Sequence, residues 1–207
     1  MQAIKRLSPS ALILLGSNLI ALASALLFHW SALDIFLSYW IQSLFIGIFQ
    51  RRKIIDMHEY RRAASGKKWV VISGTRIFRK DGDAGFSKIY GAFWVGVGIA
   101  LFFSATRAEN LTISPLDVLF QSGVFFLSHW WSYCSNKKND ERREPDILIN
   151  SGLPLLRVFL PLFLVSSVID FGKTYAPAVV VAWMLLKTVV DVGSHLIEHD
   201  KNRVKFG

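Results

Sequence analysis

The last apolar stretch of the sequence carries four side chains that can hold a charge, a proton or a metal ion. Lys187, Asp191, His195 and His199 recur at every fourth position, so they lie along one stripe of a helix. An ionisable side chain in an apolar helix is costly and usually faces the protein interior. Lys187 and Asp191 are one turn apart and can pair. The stripe is therefore either a structural ion pair or a functional polar site.

Two further residues are predicted to lie at the same depth in the bundle of apolar helices. His129 lies near the end of the fourth apolar segment and Arg157 near the start of the fifth. We predict an inner-leaflet polar cluster of His129, Arg157, Lys187, Asp191 and His195. Within it, His129, Asp191 and His195 are weak candidates for Zn²⁺ or Fe²⁺ ligands. The sequence has neither an HExxH motif nor a carboxylate-rich di-iron pattern, so no metal is assigned.

Six apolar segments must position these residues. The 207-residue chain is 52% hydrophobic and 19% charged, which is more apolar than a typical soluble domain. The segments cover residues 11–28, 33–49, 89–103, 116–131, 153–169 and 176–196. Each is close to the ~20 residues that cross a bilayer as a helix, the form that satisfies the backbone in lipid. We predict an all-α fold, a single integral domain formed by a six-helix transmembrane bundle of three hairpins.

The positions of the positive charges predict how the bundle is oriented. Twenty of the 24 Lys and Arg residues fall on one face if the six spans alternate. Positive residues are retained in the cytoplasm, so both termini are predicted to lie inside a prokaryotic inner membrane. The net charge of +9 is thereby assigned to topology and anionic lipid, and nucleic acid is excluded as a partner. Glu198 and His199 should lie beyond the membrane edge, in solvent.

The basic loop 51–88 is the longest polar insertion and contains eleven Lys and Arg residues. Its first part, residues 51–62, is expected to extend the second helix past the membrane. Cations beside anionic headgroups contribute about 1 kcal/mol each. The predicted headgroup-binding residues are Arg51, Arg52, Lys53, Arg61, Arg62, Lys67 and Lys68. The alternative is a solvated loop that only enforces topology.

Two outer turns have the same pattern of a serine followed three residues later by an aspartate. Ser31 precedes Asp34, and Ser114 precedes Asp117. This spacing is typical of a capping box at a helix start. Asp34 and Asp117 are therefore interpreted as caps rather than as ligands of a transported ion.

Small residues at helical spacing predict two close helix contacts. One stripe contains Ala92, Gly96 and Ala100, with Gly98 nearby, and the other contains Ser17, Ala21 and Ala25. Such stripes allow helices to approach closely within a membrane.

Several segments resemble an uncharacterised prokaryotic family of multi-pass proteins, catalogued as a domain of unknown function. The resemblance covers most of the six-helix core and is carried by Phe-His-Trp-Ser at 28–31, Leu-Ser-Tyr-Trp at 37–40, Phe-Phe-Leu-Ser-His at 125–129 and residues 186–195. Family members often have Glu-Asn shortly after the Tyr-Trp pair, where this chain has Gln42 and Ser43. The resemblance indicates His129, Lys187, Asp191 and His195 as candidate site residues, and it implies no activity.

Three functions remain open. The absence of a nucleophile elbow, a P-loop or a dinucleotide fingerprint favours a non-enzymatic accessory or scaffold component of a membrane assembly. The alternatives are a small ion or solute transporter or channel with an inner-leaflet polar site, and a membrane-embedded metalloenzyme. No cofactor is assigned, and the expected partners are the bilayer and other membrane proteins. Exposure of Asp191 separates these cases, because a sealed pair favours the scaffold and a water-filled vestibule favours transport.

Overall fold

A computed structural model describes residues 8–30, 32–65, 82–107, 114–141, 152–158 and 177–198. Throughout these ranges the protein is helical. The helices are α1 (Pro9–Leu27), α2 (Ala32–Ser65), α3 (Gly82–Arg107), α4 (Pro115–Glu141), α5 (residues 152–158) and α6 (Pro177–Glu198). The all-α prediction is confirmed for this part of the chain. Residues 66–81 of the basic loop and 159–169 of the fifth apolar segment lie outside it.

The ends of α1 show how the local sequence defines a helix. Ser8 is the N-cap, and its hydroxyl accepts a hydrogen bond from the Ala11 N–H at 3.2 Å. Pro9 follows at a position where the missing N–H does no harm. At the other end His29 has a φ of 50°, which turns the chain so that the Trp30 N–H reaches the Ala25 carbonyl at 3.0 Å. This is the bond of a Schellman-type helix end.

Contacts between helices fix their relative directions. Residues further along α1 contact residues earlier in α6, and residues further along α2 contact residues earlier in α3, so both pairs are antiparallel. Residues further along α2 contact residues further along α4, so this pair is parallel. The contacts are Ser10–His195 and Asn18–Asp191, Trp40–Trp94 and Ser43–Tyr90, and Gln42–His129 and Asp56–Tyr133. Tyr39–Trp183 and Lys53–Glu198 show that α2 and α6 are parallel. α1 and α3 therefore run one way, and α2, α4 and α6 run the other. We call the end where α1 begins and α2, α4 and α6 finish the basic end.

The bundle has apolar side chains outside and many polar side chains inside. Leu27, Phe102, Leu116 and Val189, on four different helices, are all more than half exposed. The buried faces of α1, α2, α4 and α6 carry polar groups, including Asn18, Gln42, Gln121 and Asp191. A soluble protein has few exposed apolar patches of this extent. By length and composition alone, however, α1 is the one described helix long and apolar enough to cross a membrane.

A pair of tryptophans joins α2 to α3. The Trp40 and Trp94 rings stack with centroids 4.2 Å apart. Each indole N–H donates to the other residue's backbone carbonyl, at 3.1 and 3.2 Å. Trp40 also lies against Gly98, where a Cβ would be 2.6 Å from the indole ring. Gly98 is therefore the close-approach position on α3.

The two predicted small-residue stripes have different outcomes. Ser17, Ala21 and Ala25 are buried in α1, as expected of a packing face. The α3 stripe was assigned to the wrong face, because Ala92, Gly96 and Ala100 are exposed. A stripe of small residues shows that a close contact is sterically allowed, and the large aromatic Trp40 decides which side of α3 is used.

Candidate functional site

The Lys187–Asp191 ion pair of α6 is sealed inside the bundle. The two side chains are 3% and 1% exposed, and the Lys187 ammonium contacts Asp191 Oδ2 directly. Asn18 of α1 joins the pair: its Oδ1 accepts from Lys187 Nζ at 3.2 Å, and its amide nitrogen donates to Asp191 Oδ2 at 3.4 Å and to the Leu14 carbonyl at 2.9 Å. The predicted pair is thus present and fixed to a second helix.

Aromatic rings cover the other side of the Lys187 ammonium. Its nitrogen lies 4.3 Å from the centre of the Tyr39 ring and 5.0 Å from that of Phe125. Tyr39 also contacts Trp183 edge-on, with centroids 4.7 Å apart. A cation over an aromatic face is stabilised by the ring quadrupole, more strongly when water is excluded. Side chains from α1, α2, α4 and α6 therefore meet at this one charge.

Two histidines lie between the ion pair and the basic end. His129 Nε2 is 3.1 Å from the amide nitrogen of Gln42, which therefore donates to it. His195 Nε2 is 3.0 Å from the hydroxyl of Ser10. Ser10 also accepts a hydrogen bond from Asn136 at 3.0 Å. These bonds connect α1, α2, α4 and α6 a second time, closer to the basic end.

A network of four charges closes the basic end. Glu198 accepts from Lys53 at 2.5 Å and from Arg157 at 3.1 Å, and Lys53 also lies 3.4 Å from Asp140. Burial lowers the pKa of Lys53, but the Glu198 and Asp140 carboxylates outweigh burial and raise it overall. Two cations and two anions thus form a compact group contributed by four helices.

This network corrects two expectations. Glu198 was expected in solvent but is 7% exposed and holds two cations. Lys53 was grouped with the headgroup-binding residues, yet its side chain points inward to Glu198. Sequence spacing contains a signal for Glu198: it follows His195 by three residues and shares the stripe of Lys187 and Asp191. No such signal marks Lys53, because its partners are distant in sequence.

Of the other predicted headgroup-binding residues, two are exposed, and the side chains of the rest lie outside the described part of the chain. Arg51 and Arg52 are exposed, and Arg52 pairs with Asp56 at 3.3 Å. The side chains of Arg61 and Arg62, together with Lys67, Lys68 and His199, fall outside the described residues.

A small, partly open cavity separates the charge network from the histidines. Its volume is about 20 Å³, room for about one water molecule. Its polar lining comes from Gln50, Lys53, His129, Ser132, Tyr133, Arg157, His195 and Glu198, and its apolar lining from Leu14, Ile46 and Phe49. Three of the five predicted cluster residues therefore line this cavity, namely His129, Arg157 and His195. The other two, Lys187 and Asp191, form the ion pair and are not among the lining residues.

Several buried polar atoms near these groups have no hydrogen-bond partner among the described residues. They are Asp191 Oδ1, Tyr39 Oη, Gln42 Oε1, Arg157 Nε, Ser122 Oγ and both amide atoms of Gln121. A buried polar atom without a partner costs about 1–3 kcal/mol. Water or a bound ligand is the usual way in which such a cost is relieved. Within the described ranges, no group of three His, Cys, Asp or Glu side chains is arranged to hold a metal ion.

Comparison with known proteins assigns a family. A family model described as a family of unknown function (DUF6498) matches residues 1–205. The chain belongs to this family. No curated protein and no solved structure matches the DUF6498 chain. The resemblance to an uncharacterised family is therefore confirmed, and function has to be argued from the site itself.

Proposed function

We propose that this DUF6498 protein is a multi-pass protein of the prokaryotic inner membrane, with both termini in the cytoplasm. The observation that carries this is the apolar exterior around a polar interior. Exposed Leu, Ile, Val and Phe side chains would face lipid, and the buried polar faces of α2, α4 and α6 lower their mean hydropathy without being exposed to lipid. The alternation of helix directions supports the same arrangement.

Within the membrane, we propose a non-enzymatic accessory or scaffold role. The Lys187–Asp191 pair is sealed and connects side chains from four helices. A buried ion pair is better attested as a device for specifying one arrangement of helices than as a source of stability. A rigid bundle with an apolar exterior is suited to holding partner membrane proteins in place.

Reporter fusions and native electrophoresis test this proposal. Fusions after Lys80 and Asn139 should report the cytoplasm, and a fusion after Arg107 should report the outside. The protein expressed from its own chromosomal locus should migrate in a complex larger than the purified protein alone. An external signal at Lys80 would refute the topology, and migration as the isolated protein would refute the accessory role.

A small ion transporter is the second candidate. The partly open cavity lined by His129 and His195 favours it, because His195 lies one helical turn from Asp191, a buried carboxylate with one oxygen that has no partner among the described residues. Ion flux into vesicles that contain the purified protein, compared with vesicles that contain the Asp191→Asn variant, would distinguish this candidate from the accessory role.

A further inference from the structure

We propose that Asp191 is a reversible proton-binding site, supplied from the basic end through the cavity lined by His129 and His195. This inference rests on the transporter candidate and names its ion as the proton. It assigns a function to a carboxylate that would otherwise only balance the charge of Lys187.

The first argument is that one oxygen of Asp191 has no partner. Oδ2 is occupied by Lys187 and Asn18, whereas Oδ1 is buried without a hydrogen bond from the described residues. A carboxylate that is held at one oxygen and unpartnered at the other can take a proton without breaking an existing bond. Leaving that oxygen bare inside the protein is costly, and a water molecule that donates to Oδ1, or accepts from it once it is protonated, removes the cost.

The second argument is that Lys187 keeps partners when Asp191 is neutral. Its ammonium also contacts Asn18 Oδ1 at 3.2 Å and the faces of Tyr39 and Phe125 at 4.3 and 5.0 Å. A buried cation that loses its one counter-ion is strongly destabilising. Here an amide oxygen and two ring faces remain, so part of this cost is offset when Asp191 is neutral.

The third argument is a route of suitable groups. His195 lies one turn from Asp191 on the same face of α6, and both His195 and His129 line the cavity. Gln42 donates to His129 Nε2, while its own Oε1 has no hydrogen-bond partner among the described residues. Rotation of that amide would let Gln42 accept from a protonated His129, so His129 can change protonation without losing this partner.

The proton balance is simple. A proton passes from bulk water at the basic end to water in the cavity and binds an imidazole nitrogen of His195 or His129. The imidazolium N–H bond then breaks as the proton passes to an entering water molecule, and that water gives up a proton to Asp191 Oδ1, where an O–H bond forms. No oxidant, reductant or further reactant is needed, and the reverse sequence returns the proton to the cytoplasm.

The formal charges around this route add up to zero. The charged and titratable groups that face the route are Lys53 and Tyr39 from α2, Tyr133 and Asp140 from α4, Arg157 from α5, and Lys187, Asp191 and Glu198 from α6. The cations Lys53 and Arg157 are balanced by Asp140 and Glu198, and Lys187 is balanced by Asp191. A proton entering the cavity therefore meets no net positive charge.

Infrared difference spectroscopy during a pH titration tests the proposal on the purified, folded protein. A protonated carboxyl band should appear as the pH is lowered, and it should shift when the aspartate carboxyl carbons carry a heavy isotope. The chain has ten aspartates, so the signal of Asp191 is the isotope-shifted component of this band that Asp191→Asn loses. The matched control Asp34→Asn, another buried aspartate, should retain it. His129→Gln and His195→Gln should keep the band but slow its appearance after a pH jump, by about 10²-fold for the double variant.

Each outcome decides the proposal. An isotope-shifted band in Asp191→Asn that has the same intensity as in the wild-type protein, or the absence of any band that shifts with labelled aspartate in the wild-type protein, overturns it. Unchanged kinetics in the double histidine variant overturns the route. If Asp191→Asn fails to fold, Asp191→Glu replaces it, because a glutamate carboxyl carries no aspartate label and the Asp191 component should no longer shift. Because the band is measured on folded protein in detergent, its absence is distinguishable from failure of the topology, which the reporter fusions measure.

Discussion

The Asp34 carboxylate, at the start of α2, accepts a hydrogen bond at 2.8 Å from the backbone N–H of Ser114, immediately before α4. In a capping box this N–H would be satisfied by the acidic residue three positions further along the same helix. Asp34 therefore serves the start of a neighbouring helix and fixes α2 to α4 at the end opposite the basic end. The sequence pattern predicts a capping role for Asp34, and this bond extends that role to the start of α4. Ser31, the predicted N-cap of α2, lies outside the described residues.

Removal of this carboxylate should destabilise the protein. Asp34→Ala leaves the Ser114 N–H without its acceptor, so the free energy of unfolding should fall by about 1–3 kcal/mol. Asp34→Asn keeps an acceptor oxygen and should cost less. Denaturant titration of the detergent-solubilised protein measures both. An Asp117→Ala variant that costs more than Asp34→Ala would show that the local capping box is the working interaction.

The sealed ion pair should show strong coupling. Asp191→Ala leaves the Lys187 ammonium buried without its carboxylate and is expected to cost about 3–5 kcal/mol. Lys187→Met combined with Asp191→Leu removes both charges and should cost less than Asp191→Ala alone. A double-mutant cycle on unfolding free energies gives the coupling. A coupling near zero would mean that the two charges are solvated independently.

Glycine substitutions in α3 should separate a packed face from an exposed one. Gly98→Ala places a methyl group 2.6 Å from the Trp40 ring. That ring cannot move easily, because Trp94 stacks on it and accepts its N–H, so overpacking should cost about 1–3 kcal/mol. Gly96→Ala meets nothing within 4 Å, and the better helix propensity of alanine should stabilise by up to about 1 kcal/mol.

Thermal unfolding of the two variants in the same detergent measures this difference. Equal melting temperatures would contradict the assignment of Gly98 as the close-approach position.

The sequence predicted the helical class and the Lys187–Asp191 pair because both depend on local spacing. An apolar stretch long enough to cross a bilayer satisfies its own backbone hydrogen bonds as a helix, and residues four apart meet in any helix. The partners of the pair could not be predicted in this way. Asn18 is far from Lys187 in sequence and Tyr39 is on a third helix, so their approach depends on how α1, α2 and α6 pack.

The charge network shows the same limit. Lys53 was assigned to lipid headgroups because it lies in a basic loop, and Glu198 to solvent because it lies at the end of an apolar segment. Each assignment is made for one residue alone, without the oppositely charged side chain that contacts it in the folded protein. The two side chains compensate each other's burial, and that compensation appears only when α2 and α6 are placed side by side.

The pairing of Lys53 predicts a specific alkaline instability. Its folded-state pKa is raised by Glu198 and Asp140, so its charge contributes stability that is fully present below the unfolded-state value of about 10.4. This contribution is lost as the pH rises through the higher folded-state pKa. Lys53→Arg keeps its charge throughout this range and should lose less stability than the wild type at alkaline pH. Lys88→Arg, a change at an exposed lysine, is the matched control and should follow the wild type. Unfolding free energies measured against pH for the three proteins check this, and parallel curves for Lys53→Arg and the wild type would show that the buried lysine is not held by these carboxylates.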